Sequence, residues 1–320
     1  MSFVSGMVPE TAVKVLRTYL LALTMFYGLA VVAELIEGGS GAAYRGEAIA
    51  VAASLVGLIV LGTRFDSAVR QSVAFALAST AVPITGLFHE LPQAQVWVLV
   101  PSMLLAVYAR TAYRTSVARL IALGISVLSL VCLVVAPAPV PALWLVLFPS
   151  CILASGEIFG GLHATLVRQA LNDPLTGVRN RAGIEVDFAA MQSVVARRRG
   201  LLTVAVFDVD GFKQINDTRG HPAGDETLTA IADALSAALP KGASVGRLGG
   251  DEFVAVAVGP LSDHGQTFTR IAASLPTPAS AGFAEAPADL AALDEMIAAA
   301  DRDLYRSRRL RRAAESNRIE

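Results

Sequence analysis

Along the first half of the chain, apolar residues come in nearly unbroken runs separated by short polar or Pro/Gly-bearing turns: Tyr19–Leu35, Ala48–Gly62, Val73–Phe88, Val96–Ala109, Val117–Val135 and Leu143–Phe159. Runs that are apolar on every face suit a lipid solvent, and their number predicts six membrane-crossing helices. Several are shorter than the ~20 residues that cross an untilted bilayer, so the spans are expected to extend into flanking Ala, Ser and Thr. After residue 160 the pattern changes. Glu157–Leu171 reads as a helical connector, and the turn-rich stretch from Asn172 to Arg181 precedes another helix. Leu201–Phe207 is short, β-branched and closed by Asp208, as in a buried strand that ends in an acid. Ser244–Arg247 and Phe253–Val258 read as a strand pair, joined by Leu248-Gly249-Gly250-Asp251-Glu252, where two glycines permit the φ > 0 geometry of a tight hairpin. The expected division is a membrane module at 1–160, a connector helix at 161–172, an α/β domain at 173–313 and a tail at 314–320.

Composition sharpens this division. Hydrophobic residues make up 54% of the chain and charged residues 17%, outside the average for soluble domains. Residues 1–160 hold eight Lys/Arg and seven Asp/Glu, and the remaining 18 and 20 follow. In a six-span topology Lys14, Arg17, Arg64, Arg70, Arg110, Arg114 and Arg119 share one side and only Arg45 lies opposite, which predicts cytoplasmic termini in the inner membrane. Trp97 and Trp144 then begin spans at the outer headgroup level, where amphipathic rings are favoured. A cleaved signal peptide is the alternative for the first span, but no small-residue cleavage site follows the basic region. The spans are read as lacking paired intramembrane charges, which disfavours a transporter. Glu34 and Glu157 are expected to reach headgroup water from span ends, and the outer-turn pair His89-Glu90 is expected to be solvated. Cys132 and Cys151 lie in apolar stretches without metal-site spacing and read as small core residues. The net charge of −1 argues against a nucleic-acid partner.

Acids at a strand end and on a neighbouring hairpin converge readily on divalent cations whose remaining ligands come from substrate phosphates. Gly-Gly-Asp-Glu alone would equally suit an exposed turn. The longer strings Asp208-Val209-Asp210-Gly211-Phe212-Lys213-Gln214-Ile215-Asn216-Asp217 through Gly224-Asp225, and Arg247-Leu248-Gly249-Gly250-Asp251-Glu252-Phe253, closely resemble the two signatures of the GGDEF family of diguanylate cyclases. Asp173-Pro174-Leu175-Thr176-Gly177 resembles that family's opening motif, and Ala300-Asp301-Arg302-Asp303-Leu304-Tyr305 its closing helix.

The resemblance implies a ferredoxin-like α/β fold and the joining of two GTP into cyclic di-GMP and two pyrophosphates by a homodimer under control of the membrane module. It implies Mg²⁺ or Mn²⁺ held by Asp208, Asp251 and the Val209 carbonyl, guanine bound by Asn216 and Asp225, and phosphate bound by Lys213. Gly249 and Gly250 would let the backbone approach the nucleotide phosphates. Either Asp251 or Glu252 would assist deprotonation of the 3′-hydroxyl, and the sequence does not choose between them. Arg308 stands where the family usually has a phosphate-binding Lys, and Arg311-Arg312 replace its Gly-Arg, so Arg308 and Arg312 are expected to contact phosphate. A solvated helix end or a contact with anionic lipid is the alternative for this basic run. A rival class is a receptor that binds nucleotide without turnover. Many family members carry an inhibitory Arg-x-x-Asp site, and the corresponding tetrad here, Pro240-Lys241-Gly242-Ala243, lacks both recognition residues.

Overall fold

The computed structural model describes residues 9–37, 44–196 and 199–316, with side chains described as far as residue 310. The chain forms two compact units divided between Thr165 and Leu166. The first contains α1 (Pro9–Glu37), α2 (Arg45–Gly62), α3 (Ser67–Thr85), α4 (Val96–Ala112), α5 (Thr115–Val135) and most of α6 (Ala142–Leu171). Six of its helices are long and apolar enough to cross a membrane. Large apolar side chains such as Met25, Leu29, Ile36, Ile59, Leu120 and Val134 point outward, while Leu16, Leu20, Tyr27, Phe75, Leu105, Tyr108 and Ile152 interlock inside. Outward apolar side chains suit a body solvated by lipid.

Helix prolines are tolerated where another group satisfies the carbonyl they leave free. Pro101 in α4 cannot donate to Trp97 O, and the Tyr27 hydroxyl donates there instead at 3.4 Å. The 30 residues of α6 run without a break, about 45 Å at 1.5 Å per residue, so the expected connector is the continuation of the sixth span.

Three sequence expectations need correction here. His89 is not solvated: its side chain is 4% exposed and its Nε2 lies 3.0 Å from Glu47, on α2, rather than pairing with exposed Glu90. Glu157 does not simply face water, since it accepts from Arg119 at 2.8 and 3.0 Å and lies 3.4 Å from Arg110. The spans therefore do carry paired charges, with Arg110 and Arg119 near helix ends and Glu157 midway along α6. Arg110 fits because α6 has glycine where it crosses: a Cβ at Gly160 would come within 2.8 Å of Arg110 Nε. Both cysteines are free thiols, Cys132 buried and Cys151 half-buried.

The second unit contains the end of α6, then α7 (Arg181–Val195), β1 (Leu201–Val209), α8 (Phe212–Arg219), α9 (His221–Ala238), β2 (Ser244–Gly249), β3 (Glu252–Val258), α10 (Leu261–Ser274), β4 (Ala279–Pro287) and α11 (Leu293–Ser316). Its four strands lie in the order β2-β3-β1-β4, all neighbours antiparallel, the ferredoxin-like arrangement. Side chains alternate between two cores. Val204, Val206, Val254 and Val256 join Ile184, Phe188, Ile297 and Leu304 in one, and Ala205, Phe207, Phe253 and Ala255 join Leu228, Ile231 and Phe268 in the other. A strand buried on both faces is apolar throughout, which is why β1 shows no period-two alternation in the sequence.

Strand β4 was not expected. Its sequence ASAGFAEAP is small and poor in β-branched residues, and it is the sheet context that makes it a strand. Gly282 shows why it must be small: a Cβ there would meet the backbone of α11 at 2.2 Å (Ala300 O) and 2.3 Å (Leu304 N).

Candidate active site

The site is built where β1 and the β2–β3 hairpin end together. Asp208 pairs across the ladder with Glu252, and the Val209 amide approaches Asp251 O at 3.4 Å. The strand that delivers Asp208 and the turn that carries Asp251 and Glu252 are thus held in one register. Gly249 and Gly250 have φ of +151° and +54°, and nothing lies within 4 Å of the position of a Cβ at either. Within the chain these glycines are required by backbone conformation rather than by crowding.

One residue passed over in the sequence fixes the turn. Arg247 donates from Nε and Nη2 to Gly250 O at 2.9 and 2.7 Å, and from Nη1 to both Asp173 carboxylate oxygens at 3.2 and 3.3 Å. Burial works against ionisation of Asp173, but the hydroxyl and amide of Thr176 and the Arg247 guanidinium outweigh it and hold its carboxyl below the usual range. The opening motif and the hairpin, more than 70 residues apart, are thereby joined.

On the other side of Asp208 the chain turns through Gly211 at φ +74°, which starts α8. Lys213 is exposed in its first turn. Asn216 Oδ1 lies where a Cβ of Gly224 would be, only 2.0 Å from that position, so the Asn216 amide packs directly beside the residue that precedes Asp225. The two residues expected to read guanine are therefore adjacent on α8 and α9, with Asp225 exposed. His264 Nε2 lies 2.9 Å from Val258 O, a structural contact away from this site.

Helix α11 supplies the third side. Arg308 Nη2 donates to the carboxylate and carbonyl of Asp208 and, at 2.7 Å, to Asp210, whose carboxylate also accepts from Ser280 Oγ at 2.8 Å. Asp301 and Glu252 add further negative charge. The Glu252 carboxyl is raised above its ordinary range by burial and by the nearby charges of Asp301, Asp208 and Asp251, and Asp301 is raised by burial and by Asp208. Sequence reasoning assigned no role to Asp210 or Asp301. Only their place in the fold brings them here, and Asp301 comes from a helix almost 100 residues away from Asp208. Arg312 lies in α11, but its side chain falls outside the described residues.

This donor set fits a hard divalent cation. Carboxylates and a carbonyl gather at one edge and repel one another, a repulsion that a divalent cation would relieve. Among the described residues no group of three or more His, Cys, Asp or Glu is arranged to hold a metal ion by itself, so a cation here would need further ligands from water and substrate.

Comparison with known proteins agrees with the geometry. The family model "Diguanylate cyclase, GGDEF domain" matches residues 170–314. A 19.3 kDa protein from the repSA 5′ region of Streptomyces ambofaciens is 37% identical over 172 residues, which cover 49% of this chain and 91% of that protein. The chain belongs to the GGDEF diguanylate cyclase family. The diguanylate cyclase DgcS of Shewanella oneidensis is 31% identical over 149 residues, 44% of this chain and 50% of that one. A sensory box/GGDEF protein of Caulobacter crescentus, known from its crystal structure, is 32% identical with a TM-score of 0.40, covering 43% of this chain and 97% of that one. This chain spans half or less of several named cyclases it matches, 13% for DgcP of Pseudomonas aeruginosa, so the likeness concerns the second unit. That unit is a GGDEF domain, and cyclases of this family use a divalent metal.

Proposed function

We propose that the protein makes cyclic di-GMP from two GTP, releasing two pyrophosphates, and that its membrane unit regulates this activity. The observation that carries the reading is that Asp208 lies across the ladder from Glu252 and next to Asp251 at the positive-φ Gly249-Gly250 turn, with Asn216 packed against Gly224, the residue before Asp225. Asp208, Asp251 and the Val209 carbonyl would hold Mg²⁺ or Mn²⁺, which when bound lowers the pKa of the 3′-hydroxyl and offsets charge at the phosphate. Asn216 and Asp225 would orient guanine, while Lys213 and Arg308 would contact the triphosphate. The 3′-oxygen of one GTP bonds to the α-phosphorus of the other as the bond to pyrophosphate breaks. The hydroxyl proton leaves to Glu252 or Asp251.

One site holds one GTP, so ring closure takes two copies of the domain face to face. The unbroken α6 supports a model in which the membrane unit governs how two copies meet. Seven basic residues against one support a topology with both termini in the cytoplasm, where GTP is found.

Purified full-length protein incubated with GTP and Mg²⁺ should yield cyclic di-GMP and pyrophosphate, identified by mass. Tight GTP binding without product would establish the receptor reading instead. Reporter fusions at both termini should give cytoplasmic signals, and an external C-terminus would overturn the topology and separate the domain from its substrate.

A further inference from the structure

We infer that Arg308 is a built-in stand-in for the metal: its guanidinium holds Asp208 and Asp210, and has to leave before a cation can bind Asp208. The inference rests on the cyclase reading of the site, in which Asp208 is a metal ligand.

The geometry is specific. A single nitrogen, Arg308 Nη2, donates to the Asp208 carboxylate, to the Asp208 carbonyl at 3.3 Å and to Asp210 at 2.7 Å. Two of these acceptors belong to the residue that would ligate the cation, so guanidinium and cation compete for the same lone pairs. A charged donor between two carboxylates makes charge-assisted hydrogen bonds, stronger than neutral ones. All three side chains are partly screened from water, at 25% to 38% exposure, which preserves the interaction better than an open surface would. A guanidinium stays charged at any working pH. Only Nη2 is engaged in these contacts, so the rest of the planar guanidinium can be offered to phosphate.

Glu252 and Asp301 lie at the same edge, and Arg308 makes no described bond to either. One guanidinium between Asp208 and Asp210 leaves these two further carboxylates without that counter-charge. The site is therefore held in shape without being neutralised. When a nucleotide triphosphate arrives it offers Arg308 another anion, and Asp208 becomes free for the metal. Metal and nucleotide binding are then coupled through this one side chain, and the coupling is reciprocal.

The test is Mn²⁺ binding to the full-length protein without nucleotide, followed by the paramagnetic resonance of the free ion. Arg308→Gln, which keeps much of the side-chain volume, and Arg308→Ala should both bind Mn²⁺ at least tenfold more tightly than the parent. Arg308→Lys should fall between. The gain should disappear when Asp208→Asn is added. Unchanged or weaker Mn²⁺ binding in folded Arg308→Gln and Arg308→Ala, with binding still dependent on Asp208, would overturn the stand-in role and leave the cyclase site intact. Binding that is indifferent to Asp208→Asn would overturn the metal assignment together with it.

Discussion

The two units treat buried charge in opposite ways. In the membrane unit each charge carried inward meets a partner. Arg110, 9% exposed, lies against Glu157 in a notch opened by Gly160, Glu47 holds His89, and Arg70 donates to the carbonyls of Leu61 and Thr63 at 2.8 and 2.7 Å. In the GGDEF unit Asp208, Asp251, Glu252 and Asp301 are gathered at one edge, and Arg308 binds only the first of them. Pairing in the first unit makes ions tolerable in an apolar setting. Crowding in the second gives away stability and leaves a site ready for a cation. The membrane charges therefore read as architecture and the catalytic acids as chemistry, and substitutions should separate the two.

The largest expected effect is at the acids. Asp208→Asn and Asp251→Asn each keep side-chain size while removing a ligand charge, and each should lower turnover by about 10³-fold or more, the scale on which loss of a preorganised electrostatic contact is felt. Steady-state production of cyclic di-GMP by folded variants checks this, and turnover near the parent level from either would contradict the metal assignment.

In the membrane unit the same kind of change should affect stability more than chemistry. Glu157→Gln leaves Arg110 without its anion, at a cost of about 3 kcal/mol for a buried charge, reduced by the 45% exposure of Glu157. The melting temperature in detergent should fall, and pairing the change with Arg110→Met should restore most of it. A double variant as unstable as the single one would show that packing of the arginine stem in the notch, rather than charge balance, holds α6 there.

Asn216 and Asp225 carry the next effect. Guanine offers these side chains a matching donor and acceptor edge, whereas adenine leaves them unpaired, at roughly 1–3 kcal/mol per buried group. Since Asp225 is exposed in the chain alone, the low end is expected. Asp225→Ala should weaken GTP binding about tenfold and narrow the preference for GTP over ATP. Competition binding with both nucleotides measures it, and undiminished discrimination would move the guanine site elsewhere.

How much of this was legible in the sequence follows a physical line. Six spans could be read because apolar runs of that length have no other good solvent. Strand β1 and the hairpin could be read because β-branched runs and paired glycines are local signals, and the motif residues stood in the expected order. Strand β4 could not, because small residues with Gly282 at a helix contact carry no strand propensity of their own. Glu47 with His89, Arg110 with Glu157 and Arg247 with Asp173 were equally hidden. Each joins residues tens of positions apart, and their meeting depends on the packing of whole helices and strands.

A smaller effect concerns pH. A carboxyl raised in the folded state binds its proton more tightly there than in the unfolded chain, so its contribution to stability is present at low pH and is lost as pH rises through the raised value. Glu252 and Asp301 both have this sign. In the absence of metal the parent should thus lose stability relative to Glu252→Gln as pH climbs from the ordinary carboxylate range, near 4.3 for Glu. Saturating Mg²⁺ should shrink the gap. Denaturant titrations across pH, with and without metal, follow both differences, and a gap that widened on acidification would reverse the assigned cause.

The smallest expected effect is no effect, and it lies where the GGDEF unit lacks an Arg and Asp recognition pair. An Arg-x-x-Asp site grips cyclic di-GMP because a guanidinium can hold phosphate and base in a fixed, bidentate geometry while the carboxylate accepts from guanine. In this chain the tetrad Pro240-Lys241-Gly242-Ala243 forms the turn between α9 and β2, with Gly242 at φ +90° and the Ala243 amide donating to Pro240 O at 3.0 Å. Pro240 has no donor, Ala243 has no side-chain acceptor, and exposed Lys241 offers only a flexible point charge. The groove beside it, about 760 Å³, is also lined by Arg179 and Asp233, but Arg179 is already engaged by Asp187 at 2.9 and 3.0 Å. Initial rates should therefore be insensitive to low micromolar cyclic di-GMP beyond competition at the active site, and Lys241→Ala should leave the response unchanged. Potent noncompetitive inhibition that disappears with Lys241→Ala would show that this turn binds product by a different geometry, and that a single lysine there is enough.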